Sequence, residues 1–210
     1  MRSAAKDVIG LYRRHALAWT RARGTTLIEG AWLERFCSLL PTRPALVDIG
    51  CGSGKPIARR LIERGVEVTG VDSSPEMMAL LAHNFPSYSA QVADMRTLSL
   101  SRRFDGLLAW NSFFHLSHAD QRGVFPVFRE HSAPSAVLMF TSGPSHGGPS
   151  VASKLNHCTT LASMGPSIVR CSTHTASMSW HMSRKTRLAA ASRSGWRSCA
   201  RFTPHTRRHT

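Results

Sequence analysis

From Ala45 onward the chain switches repeatedly between two hydrophobic periods. Ala45, Leu46, Val47 and Ile49 form a short apolar run of the kind that a strand buried on both faces requires. Ile57, Leu61 and Ile62 then recur at helical spacing and are expected to face the sheet, and Gly65 stops that helix. The period returns to strand over Val66 to Val71, then to helix from Pro75 and Glu76 with Met77, Leu80 and Leu81 inward and Asn84 to Pro86 as its end. Tyr88 to Val92, Phe104 to Trp110 and Ala136 to Phe140 complete five strands, with a helix from about Ser117 to His131 between the last two. Such alternation predicts an α/β domain, a doubly wound and mainly parallel sheet with right-handed crossovers.

Two helices are expected ahead of the first strand. Lys6 to Arg21 places Val8, Tyr12, His15, Ala16 and Trp19 on one face, which makes His15 a packed residue. Thr26 followed by Glu29 reads as a capping box that opens a second helix bearing Leu27, Trp32, Leu33, Phe36 and Leu40. Pro41 and Pro44 close this region, so residues 1–44 form a helical cap and 45–148 the α/β core.

The first strand runs directly into Gly50-Cys51-Gly52-Ser53-Gly54, a tight turn whose glycines let a ligand approach the backbone while the next helix aims its free N–H groups at negative charge. A phosphate loop of the G-x-x-x-x-G-K-[ST] form would need glycine at Ile49 and a hydroxyl at Pro56, so Gly54-Lys55 is a false match. The dinucleotide form G-x-G-x-x-G would need its last glycine at Lys55, which leaves a nicotinamide-dependent oxidoreductase as an alternative.

The remaining form, D-x-G-x-G-x-G at Asp48, Gly50, Gly52 and Gly54, resembles the cofactor loop of class I S-adenosylmethionine-dependent methyltransferases. Three later motifs agree in order: V-T-G-V-D-S-S-P-E-M ending the second strand, V-A-D-M-R at Val92 to Arg96, and F-D-G-L-L-A-W-N-S-F-F-H-L from Phe104 to Leu116. The resemblance covers roughly Asp7 to Gly147 and implies S-adenosyl-L-methionine as cofactor. It assigns cofactor contacts to Asp48, Gly50, Cys51, Gly52 and Gly54. It also assigns Asp72 and Ser73 to the ribose end, Asp94 and Met95 to the adenine, and Trp110 to the loop that lines cofactor and acceptor. N-terminal helices serve as a lid in such enzymes, which brings Tyr12 and Trp19 towards the ligands. Methyl transfer from a sulfonium is an in-line displacement in which the protein mainly positions, so no catalytic residue is forced. His115, with a suitable intrinsic pKa, and Asn111, which can orient an amine or hydroxyl but not take its proton, are the candidates. Lys55 is out of place beside a sulfonium unless its stem carries the charge to solvent.

Composition changes the picture only at the C-terminus. The net charge is +15, yet all 12 acidic residues precede residue 131, and 131–210 hold 10 of the 27 basic ones. Neither period persists after Gly147, so residues 149–210 read as a basic, poorly ordered tail that offers no run able to pair as a strand. Read one frame over, the codons of Ala162 to Ser183 can encode an acidic amphipathic helix, a glycine stop and a β-branched strand. A frameshifted C-terminus is therefore expected, with the last two strands of the sheet missing and stability and activity reduced. If nucleic acid binds at all, it would be through this tail. Five cysteines without a C-x-x-C pair fit neither a disulfide framework nor a zinc site, so no metal is expected and Cys51 packs within its loop. No apolar run of about 18 residues is present and the N-terminus lacks an apolar signal region, which points to the cytoplasm and away from the membrane. Three function classes follow: methyl transfer to a small molecule, nicotinamide-dependent redox chemistry, or a non-catalytic remnant with a nucleic-acid-binding tail.

Overall fold

The computed structural model describes residues 4–142, 165–172 and 179–182. Helices α1 (Ala4–Arg23) and α2 (Gly30–Cys37) precede β1 (Ala45–Ile49). Then follow α3 (Ile57–Glu63), β2 (Glu67–Asp72), α4 (Pro75–Asn84), β3 (Ser89–Val92) and β4 (Phe104–Ala109). A single 3-10 turn (Phe113–His115), α5 (His118–Glu130), β5 (Ser132–Ser142), β6 (Gly165–Ser172) and β7 (Ser179–Met182) complete the order. The seven strands form one sheet in the order β3-β2-β1-β4-β5-β6-β7. β1 to β5 run parallel, and β6 turns antiparallel against β5 and β7 against β6.

Side chains alternate across the buried strands, as the pleat requires. Val47, Ile49, Leu107 and Ala109 face α5 and its Phe128, whereas Leu46 and Leu108 face Phe36 of α2 and Leu61 of α3. Sequence order reverses between β1 and β4, and in an open parallel sheet a crevice opens at that switch point beyond the carboxyl ends of the strands.

Four expectations are corrected. The last two strands are present: within the segment expected to have no order, Ile168, Val169 and Cys171 lie in a strand paired with β5 from Val137↔Arg170 to Ser142↔Gly165. Val169 and Cys171 are buried in the core on one face, while Ile168 packs against the other. The physical reason is that an uncovered edge at β5 accepts a short extended segment, and two or three apolar positions suffice when the partner supplies the rest of the burial. The remainder of 149–210, and with it the frameshift reading, lies outside the described residues. Second, α2 starts at Gly30 with Glu29 as its N-cap residue, so Thr26 and Glu29 form no capping box. Third, His15 is exposed and sits at a bend in α1, where φ −120° and ψ 18° leave helical values. Fourth, Ile62 is exposed rather than turned to the sheet.

Candidate functional site

The turn after β1 is built by three glycines at positive φ, +79° at Gly50, +56° at Gly52 and +79° at Gly54. At Gly50 a Cβ would lie 2.2 Å from that of Ser112, whose hydroxyl donates to the Ile49 carbonyl at 2.7 Å and ties the end of β4 to the end of β1. At Gly54 a Cβ would meet the Phe85 ring at 2.9 Å. Both the left-handed backbone and the space therefore demand glycine here. Cys51 packs within the loop, its Sγ 3.9 Å from Met78 Sδ, and burial above all pushes its thiol well above the ordinary range. It is a packed thiol and not a nucleophile.

Asp72 closes the loop from the side. Its Oδ2 accepts from Gly52 N–H and its Oδ1 from Ser74 N–H, both at 2.9 Å. These bonds hold the carboxylate in place and leave part of its acceptor capacity unused. Burial raises its pKa, opposed by the hydrogen bonds from Ser74, Gly52 and Ser73. Asp48 is 3% exposed at the end of β1, and burial, then the charges of Asp72 and Glu29, push its carboxyl up to about 7. Asp94 is clasped by Arg96, whose Nε lies 3.0 and 3.1 Å from its two oxygens and whose Nη2 lies 2.5 Å from Oδ2. These bonds hold its pKa below the usual carboxylate range and occupy much of its acceptor capacity.

The opposite wall comes from β4 and α1. Asn111 follows β4 at φ 54°, its N–H donates to Thr141 Oγ1 at 2.8 Å, and its buried Oδ1 meets no hydrogen-bond partner among the described residues. His115 Nε2 shares a hydrogen bond of 2.9 Å with Tyr12 Oη, and the two rings meet edge to face at 5.4 Å. Burial, then the charge of Asp72, raises the pKa of the Tyr12 phenol, which stays protonated. α1 is held over the crevice by this bond, by Arg13 with Glu76 at 3.3 Å, and by Thr20 Oγ1 at 4.0 Å from Met77 Sδ.

Asp48, Asp72, Asp94, Asn111, Tyr12 and His115 all line one cavity. It brings together every position read from the sequence as cofactor-binding, namely Asp48, Gly50, Cys51, Gly52, Gly54, Asp72, Ser73, Asp94, Met95 and Trp110, together with His115, Asn111, Lys55, Tyr12 and Trp19. Arg23, Glu29 and Arg96 also line it and escaped the sequence reading. Glu29 was masked by its fit to a capping box, and Arg23 by its place at the charged end of a helix. Among the described residues no group of three His, Cys, Asp or Glu is placed to hold a metal ion, and no helix is long and apolar enough to cross a membrane.

The family described as "Methyltransferase domain" matches residues 46–135. A dTDP-3-amino-3,6-dideoxy-alpha-D-glucopyranose N,N-dimethyltransferase of Streptomyces fradiae is 30% identical over 101 residues, 47% of this chain and 39% of that protein. YqeM of Bacillus subtilis (strain 168), named as a methyltransferase, is 44% identical over 119 residues, 52% of this chain and 46% of that protein. The chain thus spans less than half the length of both curated relatives. Among solved structures, S-adenosylmethionine-bound CalS10, an amino pentose methyltransferase from Micromonospora echinaspora, superposes with a TM-score of 0.53 at 22% identity, covering 74% of this chain and 67% of that one. That likeness supports the fold.

Proposed function

We propose that this chain, whose residues 46–135 match a methyltransferase domain, is of the class I S-adenosylmethionine-dependent kind, binds S-adenosyl-L-methionine in the crevice beyond β1 to β4 and, in the cytoplasm, methylates an amine of a small molecule. The observation that carries the reading is the cavity itself. Three positive-φ glycines fix the turn that lines it, and beside that turn stand a carboxylate held at Asp72 and a buried acceptor at Asn111 Oδ1. Those are the features a nucleoside with an amino-acid end requires of its site.

When bound, S-adenosylmethionine supplies a methyl group already activated on a sulfonium. Asp72 would hold the ribose hydroxyls with the acceptor capacity its backbone bonds leave unused. Asp94 and Met95 flank the adenine, with Arg96 fixing the Asp94 carboxylate. His115, oriented by Tyr12, takes the proton that an ammonium acceptor must lose to become nucleophilic, and Asn111 Oδ1 accepts from its remaining N–H. The amine class is supported by the Streptomyces relative, whose name describes N,N-dimethylation of an amino sugar. Titration calorimetry with S-adenosylmethionine and with NADH tests the reading. Tighter binding of NADH, or no binding of S-adenosylmethionine, would overturn it.

A further inference from the structure

Glu29 is buried, 2% exposed at the junction of α1 and α2. Its Oε1 receives Arg23 Nη2 at 2.5 Å, while Arg23 Nη1 donates to the Thr26 carbonyl at 3.1 Å, so the pair is anchored to the loop between the helices. Its Oε2 is buried as well and has no hydrogen-bond partner among the described residues, yet Glu29 lines the cavity. A buried carboxylate oxygen with no donor is costly, and a charged one more so. Asp48 lies near enough for Glu29 to be one of the groups that raise its carboxyl, and both acids line this cavity. This corner is built to receive a cationic donor.

The sheet order says which donor. An elongated ligand with its adenine at β3 and its ribose at Asp72 of β2 must run on across β1 towards β4. Asp48 ends β1 and Trp110 follows β4, and both line the cavity with Glu29. For the cofactor proposed above, the group at that end is an α-amino acid. We infer that Glu29 is a cofactor-binding residue, with Oε2 accepting a charge-assisted hydrogen bond from the α-ammonium of the methionyl moiety and Arg23 acting as the positioning residue that holds the carboxylate there. This inference rests on the cofactor reading. It adds a specificity element on the cap, outside the glycine loop, that distinguishes the intact amino-acid end from a nucleoside alone.

The test compares S-adenosylhomocysteine with 5′-methylthioadenosine, which keeps the adenosine and the thioether but lacks the amino acid, by calorimetry on the full chain. Glu29→Gln should weaken S-adenosylhomocysteine by about 10- to 100-fold and change 5′-methylthioadenosine by less than about twofold. Glu29→Asp keeps the charge beside Arg23 and draws it back by one methylene, so it serves if the glutamine variant fails to fold. It should lose about 3- to 10-fold on S-adenosylhomocysteine alone. Equal weakening of both ligands would assign Glu29 to the fold only, and unchanged binding of S-adenosylhomocysteine would remove the contact; either overturns the inference. Wild type binding neither ligand would instead bring down the cofactor reading beneath it.

Discussion

The two halves of the sheet are held by different means. β1, β2 and β4 are parallel and buried at nearly every position, and the glycine turn at their carboxyl end is fixed by sterics at Gly50 and Gly54. β5, β6 and β7 form an antiparallel extension in which β6 contributes few apolar residues, and its Arg170 reaches back to the Leu39 carbonyl at 3.3 Å. The first half specifies itself through its own sequence, the second through the edge that β5 leaves to be covered. Local pattern is thus a strong guide where a strand carries its own burial and a weak one where the neighbour provides it.

The largest test of that contrast is removal of 149–210. Losing β6 uncovers the β5 edge and removes the buried Val169 and Cys171 from the core, which should cost at least about 3 kcal/mol and expose an aggregation-prone edge. Denaturant unfolding with size-exclusion chromatography checks this, and a truncated chain that stays monomeric with an unchanged midpoint would show that β6 contributes nothing. In the self-specified half, Gly50→Ala should destabilise by about 2 to 4 kcal/mol through positive φ and the Ser112 clash. Gly65→Ala, at φ +71° but in open space, should cost only about 1 kcal/mol. Equal thermal shifts for the two glycines would contradict the steric account. Asp72→Ala should cost about 1 to 3 kcal/mol of S-adenosylmethionine affinity by calorimetry, with the fold retained.

A pH experiment is the next smaller. Asp48 has its carboxyl raised to about 7 by burial, Asp72 and Glu29, so the folded state favours its protonated form. Its contribution is fully favourable below the ordinary carboxylate range near 4 and is lost as pH rises through about 7. Asp48→Asn should therefore gain thermal stability over wild type at pH 8 and not at pH 4, and a difference independent of pH would refute the raised value. Least of all, Tyr12→Phe should cost about 0.5 to 1.5 kcal/mol through its single bond to His115, read as a small drop in melting temperature.

The central part of this picture was legible from the residues. Strand and helix periods marked β1 to β5, and the ordered motifs predicted positions that now share one cavity, because buried parallel strands and glycine turns leave strong local patterns. Glu29 was misread for a physical reason: T-x-x-E fits a cap, and only the later start of α2 at Gly30 frees the carboxylate to turn inward. β6 was missed because S-I-V-R-C-S has too little alternation to announce itself without β5 beside it. His15 sat in a helical face that the bend interrupts, so periodicity placed it on the wrong side.

That bend divides α1 into two unequal tethers. The part before His15 carries Tyr12 and Arg13, fastened by one hydrogen bond and by an ion pair that is roughly half exposed and so contributes at most about 1 kcal/mol. The part after it carries Thr20 and Arg23, the latter joined to the buried Glu29. A cover with a weak front and a firm rear opens in stages. The section beside His115 is therefore the one expected to loosen first, ahead of the section tied to Glu29.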